Sequence, residues 1–150
     1  MNSDFKELLL ALEKFGAEYL VVGGYAVMAY TEPRYTKDLD VWVRPEPENA
    51  DRVFQSLAHF GAPLDRVAVE DFATEGLVFQ IGMAPVRVDI LMSIDGVNFG
   101  EAWKRKKRLN LGGIDCWVLS PEDLVVNKEI AARPQDLMDA HNLRRAMEAE

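Results

Sequence analysis

Asp38 and Asp40 stand two residues apart at the head of an otherwise apolar run, Asp38-Leu39-Asp40-Val41-Trp42-Val43. In a β-strand that spacing sends both carboxylates out of one face, with Cα atoms about 7 Å apart. Two acids so placed repel each other and resist joint ionisation. A divalent cation relieves the repulsion, and acceptor-only oxygens suit Mg²⁺. Taken alone, an Asp-x-Asp also describes solvated charge where a loop enters a strand. Asp89 adds weight, because it lies within Val86-Arg87-Val88-Asp89-Ile90-Leu91, where a carboxylate needs compensation. If the two runs are neighbouring strands, a spacing of roughly 4.8 Å brings all three acids to one site. Otherwise Asp89 faces outward beside Arg87.

Gly23 and Gly24 follow the apolar run Tyr19-Leu20-Val21-Val22 and precede a short helical stretch. Without Cβ atoms the backbone there can approach a phosphate, and a helix start points free N–H groups and a positive dipole end at it. The same pair also serves a tight turn on steric grounds. Arg34 and Thr36 lie in the loop before the acids, placed to touch the outer phosphates of a triphosphate or simply to be solvated. Lys128, on the apolar face of Leu124, Val125 and Ala131, either snorkels to solvent or meets an anion. Lys104-Arg105-Lys106-Lys107-Arg108 can hold an RNA backbone or be a solvated charged face. His59 and His141 are isolated and Cys116 reads as core, so none is assigned chemistry.

The elements that must position these residues are legible from periodicity. Phe5, Leu8, Leu9, Leu12 and Phe15 predict an amphipathic helix opened by an Asp4–Glu7 capping box and stopped at Gly16. Tyr19 to Val22 predicts a buried strand, Ala26 to Tyr30 a short helix, and Asp38 to Val43 a second strand. Pro47 starts a helix carrying Val53, Phe54, Leu57 and Phe60 before Gly61. Ala62 to Thr74 leaves loop, strand and helical turn open. Leu77–Ile81 and Val86–Leu91 predict a hairpin around Gly82-Met83-Ala84-Pro85, and Gly112-Gly113 turns a second hairpin into Ile114–Leu119. Asn98 with Glu101, and Ser120 with Pro121 and Asp123, cap further helices, and the chain from Pro134 onward reads as helical. Helical crossovers early and hairpins later favour one α/β or α+β domain over residues 1–150, with a mixed sheet. Its core spans about 18–119 and its C-terminal helices about 121–148.

The 150 residues carry 17 basic and 25 acidic side chains, a net charge of −8. Duplex DNA is therefore not an expected partner, and any nucleic acid must be met locally. One cysteine excludes an intrachain disulfide and a thiolate metal cluster. No signal peptide or membrane span is expected, and a cytoplasmic location follows.

Gly23-Gly24, thirteen further residues, then Asp38-Leu39-Asp40, with Val88-Asp89-Ile90 downstream, resembles the nucleotidyltransferase superfamily of the DNA polymerase β-like minimal fold. The departure is Gly24 where many active members have Ser, which removes a hydroxyl. Arg34 to Asp38, with Lys128, Arg133, Asp136 and Asp139, is similar to the small bacterial abortive-infection toxin-type members, over roughly Glu18 to Leu143. The resemblance implies a mixed β-sheet with flanking helices, and Mg²⁺-dependent transfer of NMP from an NTP to an acceptor hydroxyl with loss of pyrophosphate. It implies a two-metal site on Asp38, Asp40 and Asp89, with Asp89 also drawing the proton from the hydroxyl and Lys128 among the catalytic residues. Gly23, Gly24, Arg34 and Thr36 would hold the nucleotide. The toxin-like similarity and the basic run together favour RNA, particularly a tRNA end, as acceptor. A protein hydroxyl or a small molecule such as an antibiotic is compatible with the same donor site, and a cognate antitoxin or other partner protein is an expected companion. The reading from a different class is a non-catalytic nucleotide-binding or partner-binding module on this fold.

Overall fold

Tyr19–Val22 is apolar at all four positions and buried at all four, and forms strand β1. The computed structural model of the chain describes residues 1–83 and 86–149. Helix α1 (Ser3–Lys14) precedes β1 and buries Phe5, Leu8, Leu9 and Leu12 of the predicted stripe, while Phe15 falls just past its end as the C-cap. Its cap is Asn2, whose Oδ1 accepts from the Asp4 N–H at 2.7 Å, rather than Asp4. The helix begins two residues earlier than the Asp4–Glu7 spacing suggests, which leaves Asp4 in the first turn, where its charge complements the dipole.

Helix α2 (Gly23–Tyr30) starts at Gly23 itself, three residues ahead of the expected Ala26. Strand β2 (Asp38–Val43) then pairs antiparallel with β1, with Val22 opposite Asp40 and Leu20 opposite Trp42. This corrects the expected crossover. An eight-residue helix rises only about 12 Å, and the extended loop that follows returns the chain to the end where β1 finished, so β2 must run back. The true crossover comes next, through α3 (Pro47–Phe60), which ends at Gly61 in the left-handed conformation (φ 97°). The segment left open from Ala62 to Thr74 is loop followed by a 3₁₀ turn at Val69–Ala73, where Asp71 Oδ2 accepts from the Ala68 N–H and Phe72 is buried.

Strands β3 (Val78–Met83) and β4 (Val86–Leu91) form the predicted hairpin, although the expected turn residues Ala84 and Pro85 lie outside the described residues. β4 lies parallel to β2. After α4 (Phe99–Arg105), capped by Asn98, β5 (Lys107–Leu111) and β6 (Ile114–Val118) form the second hairpin, its two glycines at φ 61° and 101°. That pair of positive φ angles is what a two-residue hairpin turn needs. Helices α5 (Pro121–Ala131), capped by Ser120, and α6 (Pro134–Glu148) close the chain. The sheet order is β3-β4-β2-β1-β6-β5, a mixed sheet with flanking helices as expected.

One face of the sheet carries Tyr19, Val21, Leu39, Val41, Val43, Val88 and Ile90, all buried. α1 borders it, since the Tyr19 hydroxyl donates to Glu13 at 2.9 Å, and Phe54, Phe72 and Phe79 stack edge-to-face alongside. The register pins the other face. A slip of one residue in β2 would drive Asp38 and Asp40 into this apolar layer, so burial of Leu39 and Val41 fixes where the acids point. Among the described residues no helix is long and apolar enough to cross a membrane.

Candidate active site

Asp38 and Asp40 leave β2 on the face opposite the apolar layer, and the parallel register sets Asp38 beside Arg87 and Asp40 beside Asp89. The three acids are therefore brought together, as the sequence predicts for neighbouring strands. Asp40 is largely enclosed. Burial is the main reason its carboxyl is pushed up to about 6, and the charges of Asp89 and Asp38 add to it; Lys128 and Arg87 offset only part. A site that holds an acid so far above its ordinary range wants more positive charge than the chain supplies. This chemistry fits a divalent cation on Asp38, Asp40 and Asp89. Among the described residues, however, no three carboxylate, imidazole or thiol side chains are already gathered as a ligand set. Arg87 lies among the acids: its Nε donates to Asp89 Oδ1 at 2.9 Å while Nη2 lies 3.3 Å from Asp89 Oδ2 and 3.3 Å from Asp38 Oδ2.

Gly23 ends β1 and begins α2 at φ 67°, a conformation that suits glycine. A Cβ there would also overlap the Asp40 carboxylate, so the helix start and the acid are in direct contact. Val22 at the N-cap offers no side-chain acceptor, which leaves the first N–H groups of α2 without a capping side chain. A Cβ on Gly24 would come within 2.9 Å of Thr36 Oγ1 and 3.3 Å of Arg34 Nη2. Gly24, Arg34 and Thr36 thus converge, and the Thr36 hydroxyl sits close to where a serine at 24 would begin.

Lys128 does not snorkel. It is buried in a cleft of about 250 Å³ lined also by Gly23, Asp40, Ser93, Arg133 and Asp136. Its Nζ lies 3.3 Å from Asp136 Oδ1 and 3.3 Å from Asp139 Oδ2. Asp139 is fully buried and also pairs with Arg34, which ties the loop before β2 to α6. Asp136 accepts from the Arg133 backbone N–H and guanidinium. Burial by itself would raise the Asp136 pKa, but the Arg133 hydrogen bond and the Lys128 charge outweigh it and hold this carboxyl below its ordinary value. A larger cavity, about 550 Å³, shares Arg34 and Asp139 with this network but contains none of the three acids, so size does not mark the site. Residue spacing gave no sign of the anchoring role of Asp139, because its partner Arg34 is 105 positions away.

The basic run lies elsewhere, at the end of α4 and along β5, the sheet edge farthest from β3. Four of its five cations are engaged within the chain. Lys104 reaches Glu101, Arg105 grips Asp123 with two contacts of 3.0 Å, and Arg108 pairs with Glu13. Lys106 lies 4.2 and 4.6 Å from the ring centres of Trp103 and Trp117.

The mixed six-stranded sheet with its flanking helices matches the nucleotidyltransferase fold. LnuA, a lincosamide antibiotic adenylyltransferase solved with lincomycin bound, superposes with a TM-score of 0.62 at 17% identity, over 97% of this chain and 98% of that one. TM1012 of Thermotoga maritima, itself assigned as a nucleotidyltransferase, gives 0.56 at 16% identity over 97% and 91%. ANT(2")-Ia, solved with adenylyl-2"-tobramycin, gives 0.57 at 15% over 97% and 86%. At these identities the likeness is one of fold. The chain belongs to the family described as nucleotidyltransferases of unknown function (DUF6036), whose profile matches residues 3–146. No curated protein matches it.

Proposed function

We propose that this chain transfers a nucleoside monophosphate from an NTP to a hydroxyl of a small, non-polyanionic acceptor. The observation that carries the reading is the register that sets Asp40 opposite Asp89, with the Gly23 helix start packed against the Asp40 carboxylate. The free N–H groups of α2, with Arg34, Thr36 and Lys128, hold the triphosphate and point its α-phosphorus at the acids. Mg²⁺, held by Asp38, Asp40 and Asp89, supplies the neutralisation of charge that builds up on the transferred phosphate and the departing pyrophosphate. The acceptor oxygen attacks phosphorus, the bond to pyrophosphate breaks, and Asp89 takes the hydroxyl proton.

For the acceptor, the expected RNA or tRNA end drew on the basic run, and that run is mostly consumed in internal pairs. The net charge of −8 further disfavours a polyanion. The molecules bound in the structures of LnuA and ANT(2")-Ia, lincomycin and adenylyl-2"-tobramycin, are likewise small rather than polymeric. The test is to incubate the chain with Mg²⁺, each α-labelled NTP, and either a small-molecule extract or total RNA, alongside the Asp40→Asn variant. Label moving to an RNase-resistant small product, and lost in Asp40→Asn while its melting is retained, is the expected result. RNase-sensitive label would restore RNA as acceptor and bring back the toxin-like reading with its cognate partner. NTP binding without transfer by any nucleotide would leave a non-catalytic nucleotide-binding module.

A further inference from the structure

Among the described residues, Arg87 is the guanidinium that reaches the acid site from a strand of the sheet. It stands two residues before Asp89 on β4 and opposite Asp38 across the parallel pair, so its side chain emerges on the same face as all three acids. From there it bridges two of them: Nε and Nη2 engage both oxygens of Asp89 at 2.9 and 3.3 Å, and Nη2 reaches Asp38 Oδ2 at 3.3 Å. These are lone pairs that a divalent ion would need, since carboxylates offer only acceptor oxygens and a guanidinium cannot give up its proton. Asp40 receives no hydrogen bond from Arg87 in this arrangement.

We propose that Arg87 is a positioning residue that occupies Asp38 and Asp89 in the metal-free chain and must release at least one of them when a divalent cation enters. It thereby sets the affinity of the site for metal. This rests on the nucleotidyltransferase reading above, which supplies the cation. Holding the first and third acids by hydrogen bonds keeps three like charges on one face without a metal, and leaves Asp40 as the acid open to the incoming ion. The bridge then opens as the ion displaces it.

The test is direct titration of Mn²⁺ by electron paramagnetic resonance, without nucleotide, on the wild-type chain, Arg87→Ala and Arg87→Lys, with thermal melts to establish folding. Arg87→Ala is expected to bind Mn²⁺ roughly tenfold more tightly, the scale of a single charge-assisted contact removed from competition. Arg87→Lys keeps the charge but cannot bridge two carboxylates in the same way, so its affinity should fall between the other two. It also folds with its acids compensated, should the alanine variant prove too unstable. The Mg²⁺ concentration for half-maximal transfer should move in the same order. Unchanged or weaker Mn²⁺ binding in Arg87→Ala would overturn the proposal, as would Arg87→Lys behaving like wild type, which would reduce Arg87 to a nearby charge. If the wild type binds Mn²⁺ and transfers label but the variants do not differ, only this inference falls. If no form binds Mn²⁺ with or without nucleotide, the metal-dependent function falls with it.

Discussion

A methyl group at position 23 would do two kinds of damage, and adjacent Gly24 shows what each is worth. Gly23 sits at φ 67°, where an L-residue is strained by about 1 kcal/mol, and its added carbon would overlap the Asp40 carboxylate. Gly24 has no positive φ, and its added carbon would meet the Thr36 hydroxyl at 2.9 Å, a side-chain atom that can rotate away. Gly23→Ala is therefore expected to lose about 1–3 kcal/mol in urea denaturation and to cut label transfer at least about a hundredfold, because Asp40 is displaced. Gly24→Ala should keep most of its stability and lose activity modestly. Equal activity loss in the two variants would show that the contact with Asp40 does not matter. The sequence presents the glycines as one unit, and residue type alone cannot separate them. The difference lies in a backbone angle and in a neighbour brought in by the next strand.

At the level of elements, what the residues announce follows local periodicity, and what they do not announce follows from the geometry of connections and from long-range ion pairs. The alternation of Asp38 to Val43 was enough to place two acids on one face, and the β-rich run around Asp89 was enough to put that acid in a strand, while its place beside Asp40 comes from the parallel pairing of β2 with β4. The antiparallel return of β2 was not legible, because it depends on the short length of α2 and on a loop without regular structure. Nor was the packing of α5 on α6. There Lys128 is held by Asp136 and Asp139, while the apolar spacing of α5 says only that a lysine interrupts it. This junction has a pH signature. Asp136 titrates below its ordinary 3.8, so its ionised form stabilises the fold at any pH above that value, and the contribution is lost as pH falls through the lower folded value. Asp136→Asn should thus melt lower at pH 7, by about 1–3 kcal/mol of stability, and the gap to wild type should close below about pH 4. A gap that stayed constant from pH 7 to pH 3 would mean that Asp136 is not ion-paired in solution.

For the molecule as a whole, the decisive quantity is how its charge is spent. Seventeen cations face twenty-five anions, and among the described residues several cations away from the acid site are ion-paired internally: Arg105 to Asp123, Arg108 to Glu13, Arg44 to Glu18 and Arg144 to Glu129. A polyanion would have to break such pairs and approach a negatively charged surface. Its binding would gain from counterion release only through cations freed for phosphate contacts. A small neutral or cationic acceptor meets neither obstacle, and the surrounding negative field draws it in if it is cationic. The expected outcome is that KM for the small acceptor, measured at saturating NTP and Mg²⁺ from 50 to 300 mM KCl, changes by less than about threefold, or rises with salt for a cationic acceptor as screening weakens attraction. Affinity for tRNA over the same range should be weak throughout. A tRNA affinity that is strong at low salt and falls with a log–log slope of several would mean several phosphates contacted at once. Were the basic run responsible, its pairs on α4 and β5 would have to open, and Glu101, Asp123 and Glu13 would then be the residues whose removal strengthens it.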